Sequence, residues 1–594
     1  MSRKFNRTMP GAKEWFITTS LQNGRTDPGG FITNLQVPSE KGDYFRIFID
    51  GYVVPRILCF DEFKDHTQEN MIRLLYLRSG ESFIHSIKGI FTIIIIFKDK
   101  FLIFSDRSGI KKYFVYENGN EFYISNSLKL ISSHYSLVAD KENSAMFLLF
   151  SHFIGNSTMF SGVTTSDPAG IIVYNGERLT CRTYWDPGKL LKSRAPSRHT
   201  IDYFTSGWLD ILRGYIDFLK PERVTFTLTG GNDSRMILAG LQNIPCNLNG
   251  FTYGDPRSHD SVISRKLADR SGLNHENYAL PDPTEEWLGK VATKLVDAGG
   301  SLINIHRAHR YDAAEQESTR LPGEGMLFTG LLGGEFLKEP SYDDKVIPLF
   351  FKQLQKMDPD DAKHLISKQL RSRGVNPYNI NVDRIYEQIR FLIDKGKGYN
   401  NKEKKFIYTW YYYGTAHHSQ DSNVFGMHFK YVVNPFMDID YLEMLAGYAK
   451  WYLNKKQDLS GRLFHSEFIA GITDALSPQL SDIPYAKKGE YTAAELLGNK
   501  VSYISARLIR YARKKQKSYP QNFPMGEWLF KFCRKKLNDL PEEFKEFVDQ
   551  EFLNSGLEEV RKCKLEEEWH IVTNPVNLIM NYEQYHKTRI SNIK

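Results

Sequence analysis

The sequence predicts an α/β protein of two unlike units, a strand-rich layered unit and then a parallel-sheet unit that runs into a helical C-terminal extension. Three observations predict it. At 594 residues the chain is longer than one hydrophobic core serves. Roughly the first 190 residues carry short apolar and β-branched runs separated by polar turns, as in an antiparallel layered sheet. From about Thr200 strand-like and helix-like segments alternate, which is the pattern of a parallel sheet.

In the first unit the strand candidates are Tyr44–Ile49, Ile90–Phe97, Phe101–Phe104, Lys112–Tyr116 and Phe122–Ser125. Turn signals such as Lys98-Asp99-Lys100 and Glu117-Asn118-Gly119-Asn120 divide them. Trp185-Asp186-Pro187-Gly188 and the basic stretch Lys189–Arg198 mark a boundary. A helix over Ile201–Leu219 then leads to a strand at Val224–Leu228, a glycine loop and a helix at Arg235–Leu241. A second strand (Leu248–Tyr253) and helix (Ser258–Ser271) follow, and from about Pro340 amphipathic helix dominates. The expected domains are 1–190, 196–494 and 495–594.

Composition narrows the function classes. A hydrophobic share of 41% with 25% charged residues is ordinary globular usage. The net charge of +8, from 78 basic and 70 acidic residues, falls short of a nucleic-acid-binding signature. Five scattered cysteines with no Cys-x-x-Cys pair argue against a disulfide framework or structural zinc, so a cytoplasmic protein is expected. The longest apolar run, Ile90–Phe97, suits a buried strand and is too short to span a bilayer, and Met1–Pro10 leads into no apolar core.

The chemistry concentrates in Thr229-Gly230-Gly231-Asn232-Asp233-Ser234. Strand, glycine turn and helix start together aim backbone N–H groups at one spot, an anion site. Thr229 and Ser234 offer hydroxyl donors to phosphate oxygens, while Asp233 either caps the helix or carries Mg²⁺. The bland alternative is a tight strand-to-helix turn with a polar cap. The string has neither the Gly-Lys-Ser/Thr ending of a Walker loop nor a Gly-x-Gly-x-x-Gly dinucleotide motif.

The loop resembles the Ser-Gly-Gly-x-Asp-Ser signature of PP-loop ATP pyrophosphatases, with Thr229 in place of the first Ser. Further segments, in order, resemble the asparagine synthetase superfamily, which includes β-lactam synthetases and lasso-peptide cyclases. Ser105-Asp106-Arg107-Ser108-Gly109-Ile110-Lys111-Lys112-Tyr113 is similar to their Arg-Asp-Arg-x-Gly-x-Lys-Pro-Leu-Tyr. Gly330-Leu331-Leu332-Gly333-Gly334-Glu335 is similar to a degraded acidic glycine motif, and Pro435-Phe436-Met437-Asp438 to Pro-Phe-Leu-Asp. Pro484-Tyr485-Ala486-Lys487-Lys488-Gly489 resembles the stretch that bears their catalytic lysine.

The resemblance implies an N-terminal glutaminase-like αββα sandwich and an adenylating PP-loop domain. It implies ATP and Mg²⁺ as ligands, with Thr229, Gly230, Gly231, Asp233, Ser234, Thr252, Tyr253 and Gly330 at the nucleotide and Asp233 and Glu335 at the metal. Phe251–Asp255 is where such enzymes hold adenine through backbone groups. Lys487 or Lys488 is the implied catalytic lysine; Lys488 is preferred because Gly489 lets the chain fold over the nucleotide. The implied reaction splits ATP to AMP and pyrophosphate and joins a small-molecule or peptide carboxylate to an amine.

The chain departs from the family at two places. Glutamine-hydrolysing members begin Met-Cys-Gly and use the freed cysteine; here residue 2 is Ser, before Arg3-Lys4-Phe5-Asn6. A thiolate forms near neutral pH far more readily than an alkoxide, so an inactive glutaminase-like scaffold is expected. Leu331 and Leu332 stand where the family presents a carboxylate, leaving Glu335 as the segment's acid, either catalytic or a surface or helix-capping residue. A catalytically weak pseudoenzyme or binding protein is the rival reading. His306 and His309 with Arg307 and Arg310 read as a polar helix face near the acceptor pocket, and Trp410 to Tyr413 as helix packing. Arg507, Arg510, Arg513, Lys514 and Lys517 form either a solvated basic face or a dock for an acidic partner.

Overall fold

The computed structural model describes residues 14–19, 32–35, 45–119, 121–192, 201–282, 284–299, 302–333, 336, 353–454, 467–486, 491–513, 525–561 and 570–592. Among the described residues the first unit holds ten strands. They are β1 (Phe16–Thr18), β2 (Ile32–Thr33), β3 (Arg46–Pro55), β4 (Ile87–Ile96) and β5 (Phe101–Ser105), then β6 (Phe114–Asn118), β7 (Glu121–Ser125), β8 (Val163–Thr165), β9 (Gly170–Tyr174) and β10 (Leu179–Thr183). They form two antiparallel sheets, ordered β2-β1-β7-β6-β8 and β10-β9-β5-β4-β3. Trp15, Ile17, Ile94, Ile103, Val115 and Ile124 fill the space between the sheets. Helix Gln68–Ser79 packs on β3 and helix Leu128–His134 on β7, which gives the αββα sandwich. Close strand approach explains Gly51 and Gly89, both at positive φ, where a Cβ would lie 2.2 and 2.3 Å from a carbonyl oxygen of the paired strand.

The second unit is built on β11 (Arg223–Thr227), β12 (Leu248–Tyr253), β13 (Asn274–Tyr278), β14 (Gly325–Phe328) and β15 (Tyr431–Val433). They make one all-parallel sheet in the order β13-β12-β11-β14-β15. Helices Ile201–Leu219, Asn232–Leu241, His259–Ser271 and Glu467–Leu476 cover one face, and Ala308–Arg320 with Ser419–Gly426 the other. Being buried on both faces, β11 and β14 are almost wholly enclosed.

One sequence expectation changes here. The helical stretch after Pro340 contains β15, which adds a fifth strand through the register Met326↔Tyr431. The aromatic run at Trp410 does pack within a helix, and that helix is of the π type, Thr409–His418, with Trp410 fully buried and packed on Trp185 at 5.1 Å.

The C-terminal segment does not stand apart. Helix His570–Asn592 buries Val576, Leu578 and Ile579, and three asparagines with them. Asn574 accepts from Asn304 Nδ2 at 2.8 Å and donates to Ser151 Oγ at 3.0 Å, while Asn577 Oδ1 accepts from the Ile305 backbone at 3.1 Å. One helix thus joins the sandwich to the parallel-sheet unit, with the Asn574 amide bonded on both sides.

Candidate active site

The order β13-β12-β11-β14-β15 makes the chain run outward in opposite directions from β11 and β14. Parallel sheets open a crevice at the carboxyl ends of two such strands. Thr229–Ser234 leaves β11 there, and Thr329–Gly333 leaves β14 opposite it. The two turns touch: a Cβ on Gly330 would lie 3.4 Å from Asp233 Cβ and from the Ser234 backbone nitrogen. A Cβ on Gly333 would lie 2.8 Å from Asp233 Cγ and 2.9 Å from the Phe436 ring. Glycine is therefore needed at 333 for the turns to close on Asp233, whereas a Cβ at 330 would only touch it.

The glycine loop is braced from within. Ser234 Oγ donates to Thr229 O at 3.1 Å and lies 3.0 Å from Thr229 Oγ1, which accepts from Gly231 N at 3.2 Å. The two hydroxyls thus shape the turn as well as being candidate phosphate donors. Gly230 N donates to Asp260 Oδ1 at 3.1 Å, and burial raises the Asp260 carboxyl above its ordinary range. Helix Asn232–Leu241 begins on Gly231 in extended conformation, with no side chain capping it. Asp233 does not cap this helix, as one sequence alternative had it; it lies in the first turn, where a carboxylate complements the helix dipole. Asn232 is buried, and among the described residues neither its amide oxygen nor its nitrogen has a hydrogen-bond partner.

The adenine-site candidates lie at the end of β12. Thr252 Oγ1 donates to Leu228 O at 2.7 Å and meets His275 Nε2 at 2.8 Å, so its side chain clamps β12 to β11 and leaves only backbone for a ligand. Tyr253 is half-buried beside His309, ring centres 5.7 Å apart. His306 and His309 are both buried. Burial, then Arg310, pulls the His309 imidazole down to about 3, so it stays neutral. Next to it Asp421 binds two guanidinium groups, Arg307 Nε at 2.7 Å and Arg310.

One anchor escaped the sequence reading. Arg235, fully buried, donates to the carbonyls of Leu480 at 3.3 Å, Ile483 at 2.5 Å and Pro484 at 2.9 Å, and its guanidinium stacks 4.0 Å from the Tyr485 ring. This ties the Pro484–Ala486 segment to the helix of the glycine loop. Ala486 N then donates to Gly230 O at 2.9 Å. The signal in the sequence was an arginine among apolar residues on the helix's inner face. Lys487, Lys488 and Glu335 lie outside the described residues, as do Lys514 and Lys517. Substituting Gly230 by alanine is expected to destabilise the protein by about 1–3 kcal/mol, because the new Cβ would meet Ala486 Cβ at 2.3 Å and Ile263 Cβ at 3.0 Å. Chemical denaturation measures this; an unchanged midpoint would mean that the segment docks loosely.

Residues 60–185 match the glutamine amidotransferase domain family. No curated protein gives a match to the chain. Among solved structures, a glutamine-dependent NAD⁺ synthetase from Acinetobacter baumannii in complex with ADP is similar at 17% identity and a TM-score of 0.17. The match covers 32% of this chain and 41% of that one, so the chain spans about two fifths of that enzyme's length. A glutamine phosphoribosylpyrophosphate amidotransferase from B. subtilis, complexed with ADP and GMP, is similar at 10% identity and a TM-score of 0.19, over 54% of this chain and 76% of that one. Overlap at this level defines neither fold nor function.

Among the described residues no helix is long and apolar enough to cross a membrane, and no group of three His, Cys, Asp or Glu could enclose a metal ion.

Proposed function

We propose that the protein is an asparagine-synthetase-like amide synthetase. A carboxylate oxygen attacks the α-phosphorus of ATP and pyrophosphate leaves; an amine nitrogen then attacks the acyl carbon, losing a proton as AMP departs. The observation that carries this reading is a convergence in one crevice. It joins the uncapped helix start at Asn232, the Asp233 carboxylate between Gly330 and Gly333, and the segment ending at Ala486, which runs in sequence directly into Lys487 and Lys488.

The N–H groups of the helix start, which Gly231 has no side chain to cap, hold phosphate in this reading, and a lysine stabilises charge that develops during acyl transfer. The Asp233 carboxylate beside the glycine turn fits magnesium held mainly through phosphate oxygens and water, with Asp233 as a protein ligand. When bound, magnesium supplies charge neutralisation between the α- and β-phosphates. The arginine pair on Asp421 and the neutral His309 pack beside Tyr253 and would set the polarity of that end of the crevice.

The attacking amine, in this reading, comes from a substrate and not from glutamine. β1 is led by Glu14 and the fully buried Trp15, whose indole N–H donates to Asp50 at 3.1 Å. Burial pushes the thiols of Cys59 and Cys181 above their ordinary range, and those of Cys246 and Cys533 up to about 11 and about 12. Thiols shifted this way are poor nucleophiles. Incubation with amide-labelled glutamine, with and without ATP, tests it: no glutamate should form at the rate of product. Hydrolysis that keeps pace with product and is lost on replacing Ser2 would overturn it.

A second reading, a nucleotide-binding protein without turnover, has its own support. Leu332 is buried in a left-handed conformation, φ 65°, where the family pattern has no leucine. Such strain costs about 1–2 kcal/mol for a residue with a Cβ. Nucleotide binding without AMP or pyrophosphate release under any carboxylate supplied would favour it.

A further inference from the structure

The sandwich reaches the parallel-sheet unit through one buried ion network. Lys88, on β4, is 3% exposed, and its Nζ lies 3.0 Å from Asp438 Oδ2 and 3.0 Å from Asp440 Oδ2. Tyr215 OH donates to Asp438 Oδ2 at 2.7 Å, and the Lys88 ammonium sits 4.9 Å over the Tyr215 ring. Arg56, from the end of β3, completes the set through Asp440 Oδ1 at 2.7 Å. A small cavity of about 30 Å³ adjoins the cluster, lined by Lys88, Arg107, Ser108, Tyr215 and Asp438 among others. Burial pulls the Lys88 ammonium down, and the two carboxylates more than offset it, so it stays protonated.

Asp438 is not an isolated partner. It ends the Pro435–Met437 turn that follows β15, and its Oδ1 accepts from Asp440 N at 2.8 Å. Within that turn Phe436 backs Gly333 and stacks near Trp208, ring centres 5.0 Å apart. Trp208 in turn donates to Met236 O at 3.2 Å, in the helix that begins the glycine loop. Gly333 backs Asp233. A continuous line of buried contacts therefore runs from a lysine of the sandwich to the carboxylate proposed to serve the phosphates.

We infer that Lys88 is a positioning residue for the phosphate end of the nucleotide crevice, acting through Asp438 and the Phe436 turn. This rests on the nucleotide reading above. A cation held between two buried carboxylates fixes both, and removing it leaves them buried and repelling each other. The turn then shifts away from Gly333, and Asp233 loses its backing. The sandwich, in this account, serves the synthetase chemistry as a support without any glutamine hydrolysis of its own. That gives a physical reason for keeping the unit.

The test compares magnesium-bound α,β-methylene-ATP with adenosine by titration calorimetry on the full chain, for wild type and Lys88→Met. Lys88→Met should bind the triphosphate about tenfold more weakly, about 1.4 kcal/mol, and adenosine within twofold of wild type. Equal weakening of both ligands would mark a merely structural lysine and overturn the inference. Should Lys88→Met fail to fold, Tyr215→Phe, which removes only the hydroxyl on Asp438, carries the same comparison. A smaller loss confined to the triphosphate supports the link, and no loss overturns it. Wild type binding neither ligand would sink the nucleotide reading itself and this inference with it, an outcome distinct from an unchanged ratio in the variant.

Discussion

Asp233→Ala is expected to lower AMP and pyrophosphate formation by a hundredfold or more, about 3 kcal/mol of transition-state stabilisation. The carboxylate sits in the first turn of helix Asn232–Leu241, half-buried, with Gly330 and Gly333 against it. That position contributes about 0.3–1 kcal/mol to folding through the helix dipole, so the variant should remain folded with a nearly unchanged melting temperature. The separation matters. A large catalytic loss with a small stability loss is what a group acting on polyphosphate charge produces, whereas a packing residue would show the reverse. Asp233→Asn should be almost as inactive, since it keeps the shape and removes the charge. Coupled detection of pyrophosphate, with product nucleotides resolved by chromatography, reads the outcome. ADP and phosphate as the products of wild type would sink the AMP-forming assignment, and activity in Asp233→Ala within a few-fold of wild type would remove this residue from the site.

Arg235→Met should have the largest effect on stability, a loss of about 3–5 kcal/mol. The side chain is fully buried and bonds three carbonyls, Leu480, Ile483 and Pro484, that have to reach across from a segment 245 to 249 positions away. Burial lowers the guanidinium only to about 10, so it remains a cation near neutral pH and donates charge-assisted hydrogen bonds. Methionine fills much of the volume and leaves the carbonyls unpaired, which is where the cost arises. Arg235→Lys should lie between, because an ammonium lacks the planar fork that spans several acceptors. Turnover should fall with stability in both, since the segment that precedes Lys487 and Lys488 loses its tie to the glycine loop. Urea denaturation and pyrophosphate release on the same samples decide the matter. A loss below about 1 kcal/mol would mean that water satisfies the carbonyls and the anchor is dispensable.

Local signals made much of this legible without coordinates. Helix Ile201–Leu219 and strand Leu248–Tyr253 have in the structure the limits their apolar periodicity indicates. The Gly230-Gly231 turn was legible because a β-rich run, a glycine pair and an apolar helix face in succession are properties of the local chain. Helix Asn232–Leu241 starts three residues before the expected Arg235 because tertiary packing of Asn232 and Ser234 extends it. β15, three residues long, was missed because so short a run is stabilised by pairing with β14 and not by its own propensity.

Residue periodicity and turn chemistry over short spans were thus enough for most element types, the order of two units and the place of the glycine loop. Only the tertiary structure decided which distant groups meet. It brought Gly333 and Ala486 onto the glycine loop, set Arg235 under the Pro484 segment and Lys88 against Asp438, and wedged helix His570–Asn592 between the units. It also turned His306 and His309 inward. The physical reason is that long-range contacts depend on how buried charges and unpaired carbonyls find partners across the fold, and no local pattern of the chain carries that information.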